Sequence, residues 1–187
     1  MTKAGLTLLC IALACATHAV AENWVAVPAD STLKFSAVQQ GAAFEGMFNE
    51  FTASFDLDPA DPTSARIEAT IDMDSVDTLY DERDEYLRGK EWFDVEQWAT
   101  GRFVTNQIQA ADSGYMADAL LTLRDQTRPI ALAFSLEPLA DGRLRFVGRT
   151  SLRRLDFGVG QGEWTNTDWV GDDVSVEVNV ILEPALP

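Results

Sequence analysis

The chain has 187 residues, with 14 lysines and arginines against 30 aspartates and glutamates, two cysteines and one histidine. Its net charge of −16 sets it against nucleic acid and anionic membrane surfaces. The length suits one domain, able to bury roughly 70% of its unfolded surface without disulfides. Residues 1–21 stand apart as an expected signal peptide: Lys3 opens it, Leu6 to Ala16 is apolar, and Ala19-Val20-Ala21 forms an A-x-A cleavage site. The apolar run is too short to span a bilayer. Cys15 raises a lipoprotein reading, but Ala12-Leu13-Ala14 lacks the usual leucine three residues before it. Cleavage after Ala21 removes Cys10, Cys15 and His18 and leaves 13 basic against 30 acidic residues, a net charge of −17. The expected mature chain, residues 22–187, therefore holds no disulfide, cysteine nucleophile, histidine base or histidine–cysteine zinc site.

From Thr32 to Val38, Leu33, Phe35 and Ala37 share one face and Lys34 and Ser36 the other. A turn at Gly41 leads to a long strand from Phe44 to Leu57, whose apolar parity changes midway. Phe44 and Phe48 are even, Phe51, Ala53, Phe55 and Leu57 odd, so a bulge or bend is expected near Asn49-Glu50. Asp58-Pro59-Ala60-Asp61-Pro62 makes a turn. Ile67, Ala69, Ile71 and Met73 then alternate with polar residues as a half-buried strand.

The stretch from Thr78 to Arg88 breaks the alternation. Thr78 is suited to cap a helix, with Asp81 returning the bond. Acidic Asp81 and Glu82 favour its first turn and Arg88 its last. Asp84 and Arg88 stand four apart, and Gly89 fits a left-handed stop. A helix from Leu79 to Arg88 is about ten residues long, or roughly 15 Å. That is too short to stand alone in water. It must pack through Leu79, Tyr86 and Leu87, with Trp92 and Phe93, over one end of a β structure, as a gate or a fixed plug.

After the helix, Gly101 to Gln109 returns as strand and turns at Asp112-Ser113-Gly114. Tyr115, Ala117, Ala119, Leu121 and Leu123 share a face; Asp125-Gln126-Thr127 connects to Ile130, Leu132, Phe134 and Leu136. Asp141-Gly142 marks a hairpin before Leu144, Phe146 and Gly148. In the last strand Val174, Val176, Val178, Val180 and Leu182 point inward. Gly158, Gly160 and Gly162 suggest a sharply bent strand at a barrel mouth. Regularly spaced antiparallel strands indicate a sandwich or barrel, and closure removes exposed edges. The fold class expected is all-β with one short helix.

Arg83 to Phe103, reading RDEYLRGKEWFDVEQWATGRF, resembles the signature of the YceI-like family of periplasmic polyisoprenoid- and lipid-binding proteins. Arg83, Asp84, Glu85, Leu87, Arg88, Trp92, Phe93, Asp94, Val95, Trp98, Thr100 and Phe103 match its pattern; Ala99 stands where the family has proline. Leu121-Thr122-Leu123-Arg124 with Thr127-Arg128-Pro129, and Leu152 to Trp164, are similar to two further family segments, with Arg153 in place of an asparagine. The QGAAFEG run at Gln40 resembles a branch sometimes joined to a b-type cytochrome domain. The resemblance implies an extended lipocalin-like antiparallel β-barrel of about eight strands, a periplasmic location and a lipid ligand.

Asp72, Asp74, Asp77, Asp81 and Asp84 are dense, yet their spacing fails the Asp-x-Asp-x-Asp-Gly calcium loop and no metal is expected. Arginines on either side of Asp84-Glu85 favour ion pairing over an acid/base carboxylate pair. Lys34 with Ser36 is an ordinary polar strand face, and no helix follows the 158–162 glycines to make a phosphate cradle. The aromatics Trp92, Phe93, Trp98, Trp164 and Trp169 gather near the helix and the glycine-rich turn. A tube lined with apolar side chains, with strands of about ten residues spanning roughly 33 Å, fits a long hydrocarbon. The expected function is a non-enzymatic carrier for an amphiphilic, quinone-like polyisoprenoid or related lipid, without other cofactors. The expected lining is Phe35, Ile67, Ile71, Trp92, Phe93, Phe103, Leu121, Leu123, Phe134, Phe157, Trp164 and Val178, with Arg83 and Arg88 as head-group candidates. The alternative is a ligand-free interaction module, partnering an envelope cytochrome or stress system.

Overall fold

The computed structural model describes residues 22–185, so the expected signal peptide and its cleavage site lie outside the described residues. Alternating side chains set the strands, and the strands form one antiparallel sheet. They are β1 (Glu22–Ala26), β2 (Thr32–Gln39), β3 (Ala42–Phe48), β4 (Phe51–Asp58), β5 (Asp61–Asp72) and β6 (Val76–Asp77). After helix α1 (Asp81–Arg88) come β7 (Thr100–Ala111), β8 (Gly114–Leu123), β9 (Gln126–Pro138), β10 (Leu144–Arg153) and β11 (Asp173–Pro184). Eight strands close a ring in the order β1-β4-β5-β7-β8-β9-β10-β11, with β11 returning to β1. Beyond β11 the sheet continues through β2 and β3 to β6.

β11 explains how both arrangements coexist. Its first half, Ser175–Asn179, pairs with β2, and its last residues, Leu182–Pro184, pair with β1. The wall is thus completed by β1 and β4 along one half of its length and by β2, β3 and β6 along the other. The parity switch between Phe48 and Phe51 marks this handover. The expected long strand is two strands: β3 pairs with β2 and β6, β4 with β1 and β5, and Asn49-Glu50 crosses between the halves.

The core has two parts. At the β1 end, Trp24, Leu57, Leu144 and Leu182 surround an aromatic stack that fills the barrel. Phe134 lies 4.8 Å from Phe146 and 5.3 Å from Tyr115, and Phe55 packs 5.3 Å from Phe146. At the other end, Met73, Val76, Leu87, Trp92, Phe93, Phe157 and Val170 form a second cluster.

The helix is present, with different devices. It begins at Asp81, its N-cap is Tyr80, and no side chain caps it. Thr78 instead donates its backbone N–H and its hydroxyl to Asp84 Oδ1, at 2.9 and 2.6 Å. Asp84 is therefore buried beneath the preceding turn, and Arg88 pairs with Asp74 at 3.1 Å in place of Asp84. Gly89 has φ −69°, because the chain runs on in extended form; the left-handed residues are Leu79 and Asp94. Only Leu87 of the three expected anchors is buried; Leu79 is 87% and Tyr86 53% exposed. The expected bent strand at 158–162 is a loop of two 3-10 turns, Arg154–Phe157 and Gly162–Thr165, and all three glycines take positive φ there.

Candidate functional site

Between the two core clusters lies a cavity of about 190 Å³, room for on the order of a dozen waters. Its wall exposes no polar atom. Phe35, Ile67, Ile71, Trp92, Phe93, Phe103, Leu121, Leu123 and Val178 all line it, contributed by β2, β5, the 89–99 loop, β7, β8 and β11. Sequence parity brings the strand members here, since residues two apart face the same side. Phe44 and Phe48 of β3 and Phe51 and Phe55 of β4 join them from opposite sides of the handover.

The other expected lining residues lie elsewhere. Phe134 belongs to the aromatic stack that closes the β1 end, beyond the cavity floor. Phe157 is 2% exposed and packs inside the loop of 3-10 turns. Trp164 faces a second cavity of about 220 Å³, together with Gln39, Tyr80, Glu82, Arg83 and Tyr86. The two cavities share Phe44, Leu87, Trp92 and Val170, so the second abuts the first as a vestibule beside it.

The two head-group candidates part company. Arg83 lines the vestibule. Arg88 lines neither cavity: Nε donates to the carbonyl of Asp74 and Nη2 to that of Val76, each at 2.8 Å, which ties it to the turn before the helix. Trp98 and Trp169 are also off the cavities. Trp98 lies under the Arg124 guanidinium at 4.5 Å, and Trp169 is 53% exposed.

Two buried arginines that the sequence reading passed over hold the cavity's open end together. Arg154 borders the cavity wall and donates to the carbonyls of Gly171, Val159, Trp164 and Val170 at 2.6 to 2.9 Å. Its guanidinium also stands 5.3 Å from the Trp92 ring centre. Burial pushes its pKa down and Asp172 opposes the shift. Arg124, left-handed in the β8–β9 turn, donates Nη1 to the carbonyls of Lys90 and Trp92 and faces Asp94 at 3.9 Å. A signal existed for Arg154. It continues the even-numbered inward series Leu144, Phe146, Gly148, Thr150 and Leu152 of β10, so parity alone puts its charge inside.

Chemically, this arrangement offers a hydrocarbon chain a dry tube, and a polar group a vestibule at one end. Residues 24–182 match the YceI-like domain. Among similar proteins are a UPF0312 protein of Shewanella oneidensis, 29% identical over 120 residues, and one of Pseudomonas aeruginosa, 31% identical over 119. Each alignment spans 61% of this chain, with 63% and 62% of the respective relative. The crystal structure of Burkholderia cenocepacia BcnA superposes with a TM-score of 0.80 at 26% identity, covering 83% of this chain and 98% of that one. A polyisoprenoid binding domain from Saccharophagus degradans, implicated in plant cell wall breakdown, has a TM-score of 0.68 at 15% identity, covering 88% and 99%. With the domain match running through the closed ring from β1 to β11, this chain belongs to the YceI-like family.

Proposed function

We propose that this protein is a periplasmic carrier or sequestering protein for an amphiphilic polyisoprenoid, quinone-like or otherwise, or a related lipid, and that it binds without performing chemistry on the ligand. The observation that carries this reading is the cavity wall, apolar over its whole surface and built from inward side chains of most of the barrel. Each CH₂ buried there contributes about 0.8 kcal/mol. A five-carbon isoprene unit thus contributes about 4 kcal/mol in gross terms, offset in part by lost ligand freedom. The likeness to a domain described as polyisoprenoid binding supports the ligand class. An interaction module would have no use for the open volume between two well-packed clusters.

The test is native mass spectrometry, with organic extraction, of protein recovered from its own periplasm, compared with Leu121→Arg. Leu121 is 8% exposed and lines the cavity, so an arginine there places an unpaired charge in the tube at a cost of several kcal/mol. A stoichiometric isoprenoid lipid that disappears in the variant is expected. Full lipid occupancy and full stability in Leu121→Arg would refute the assignment.

A further inference from the structure

The vestibule carries an inference that rests on the carrier reading and adds to it the chemistry of the ligand's head. Arg83 is held there by three contacts that leave most of its donors free. Nε donates to Gln39 Oε1 at 3.3 Å, and the guanidinium carbon sits 4.2 Å from the centre of the Phe44 ring and 5.5 Å from that of Tyr80. Among the described residues, no carboxylate comes within ion-pair distance of it, and Nη1 and Nη2 have no acceptor. In a chain with 30 acidic residues this is notable, since most of the other arginines are paired. Gln39 is itself fixed, through a backbone bridge to Val170. The result is a half-buried, positioned guanidinium with two free NH₂ groups at the point where an apolar tube opens.

The surroundings limit what those groups can take. The vestibule wall is mainly aromatic, with Phe44, Tyr80, Tyr86, Trp92 and Trp164 facing it beside the uncharged Gln39, Leu87 and Val170. Its other charge is Glu82, which accepts a hydrogen bond from the Tyr80 hydroxyl at 2.8 Å and by doing so raises the tyrosine pKa. Asp81 and Glu85 stand exposed on the same helix. One cation among several carboxylates suits an oxygen acceptor, and most of all a single carboxylate-like charge taken bidentately. A multiply charged head would meet more repulsion than one guanidinium offsets.

We infer that the vestibule is the head-group site of the amphiphile whose chain lies in the tube, with Arg83 Nη1 and Nη2 binding a head that presents oxygen acceptors and at most one negative charge. The probes are four chains of equal length: farnesene, farnesol, farnesoic acid and farnesyl diphosphate, titrated into wild type, Arg83→Gln and, as a control, Arg145→Gln, an exposed arginine outside both cavities. Farnesoic acid should bind wild type most tightly and lose about tenfold in Arg83→Gln, with farnesene unchanged in every variant and Arg145→Gln like wild type. Unchanged farnesene affinity also shows that the tube is intact in Arg83→Gln. The proposal is overturned if the diphosphate binds most tightly, or if Arg83→Gln leaves farnesoic acid unaffected while farnesene binds. Failure of wild type to bind any of the four would instead sink the carrier reading, and the head-group site with it.

Discussion

Replacing Arg154 tests whether the open end of the barrel is held by one side chain. The residue is 3% exposed and spans the loop from Val159 to Gly171 through four backbone carbonyls at 2.6 to 2.9 Å, with Gly160 as a fifth at 3.4 Å. Arg154→Met keeps an apolar stem and deletes every donor. A buried acceptor left unsatisfied costs about 1–3 kcal/mol, so the four short bonds set a ceiling of about 4–12 kcal/mol that water entry and loop relaxation will lower. No compensating carboxylate is lost with it, since Arg154 has no ion pair within 4 Å among the described residues. The expected loss therefore lies near the low end of that range, about 3–5 kcal/mol, a large part of a typical 5–15 kcal/mol of folding stability. Urea unfolding followed by tryptophan fluorescence reads this directly, because Trp92 and Trp164 lie 5.5 Å apart beside the loop. Arg154→Lys restores the charge without the planar fork and should recover less than half of the loss. A loss below about 1 kcal/mol in Arg154→Met, or a lysine variant equal to wild type, refutes the reasoning.

Two further outcomes are expected. A Cβ at Gly46 would lie 2.7 Å from Phe35 Cε1 and 2.9 Å from Thr78 Cγ2. Gly46→Ala should therefore turn the Phe35 ring into the cavity it lines and weaken lipid binding about tenfold, at an overpacking cost of about 1–3 kcal/mol; unchanged binding in a lipid titration would contradict this. The Asp172 carboxyl is pushed up by burial, but the Leu155 N–H at 3.0 Å and Arg153 Nε at 2.8 Å outweigh burial and hold it below the usual carboxylate range. A depressed folded pKa gives stability that is full above the unfolded value of about 3.9 and lost as pH falls through the folded value. Asp172→Asn should be less stable than wild type at pH 7, and a gap that persisted in full at strongly acid pH would rule the linkage out.

The barrel was legible because one rule, residue parity, holds along most strands; it slips in β7, where a bulge between Thr105 and Gln107 moves the buried side from Gly101 and Thr105 to Ile108. Val174 to Leu182 and Tyr115 to Leu123 each name their inward face without reference to any neighbour. The helix was legible as an element and not in its fastenings. Thr78, Asp81, Asp84 and Arg88 allow several local pairings of comparable strength, and the choice fell to tertiary partners. Asp84 is taken by Thr78, and Arg88 by the carbonyls of Asp74 and Val76 together with the Asp74 carboxylate. Glycines at 158, 160 and 162 likewise permit a bend or a turn, and the acceptors that Arg154 draws together decide for turns.

Parity tells which side chains point inward but not how much space they leave, and that is why Phe134 points inward yet fills the barrel instead of lining the cavity; Phe157 lies in the 3-10 turn Arg154–Phe157, where no strand parity applies. The volume follows from the handover at Asn49-Glu50. Where a single ring of eight strands closes on itself, opposing side chains meet, as Phe55, Phe146 and Phe134 do at the β1 end. Farther along, β2, β3 and β6 replace β1 and β4 in the wall, and the small residues Ala37 and Ala69 stand among its inward side chains. Phe35, Phe44 and Phe48 pack there against one another along the wall, at 6.3 and 5.6 Å. Phe48 also meets Phe93, from the loop that follows the helix, at 5.7 Å. A tube whose aromatics are satisfied by neighbours on the same side has no need to collapse across its axis, and the space that remains runs from Phe55 to Trp92, which also faces the vestibule.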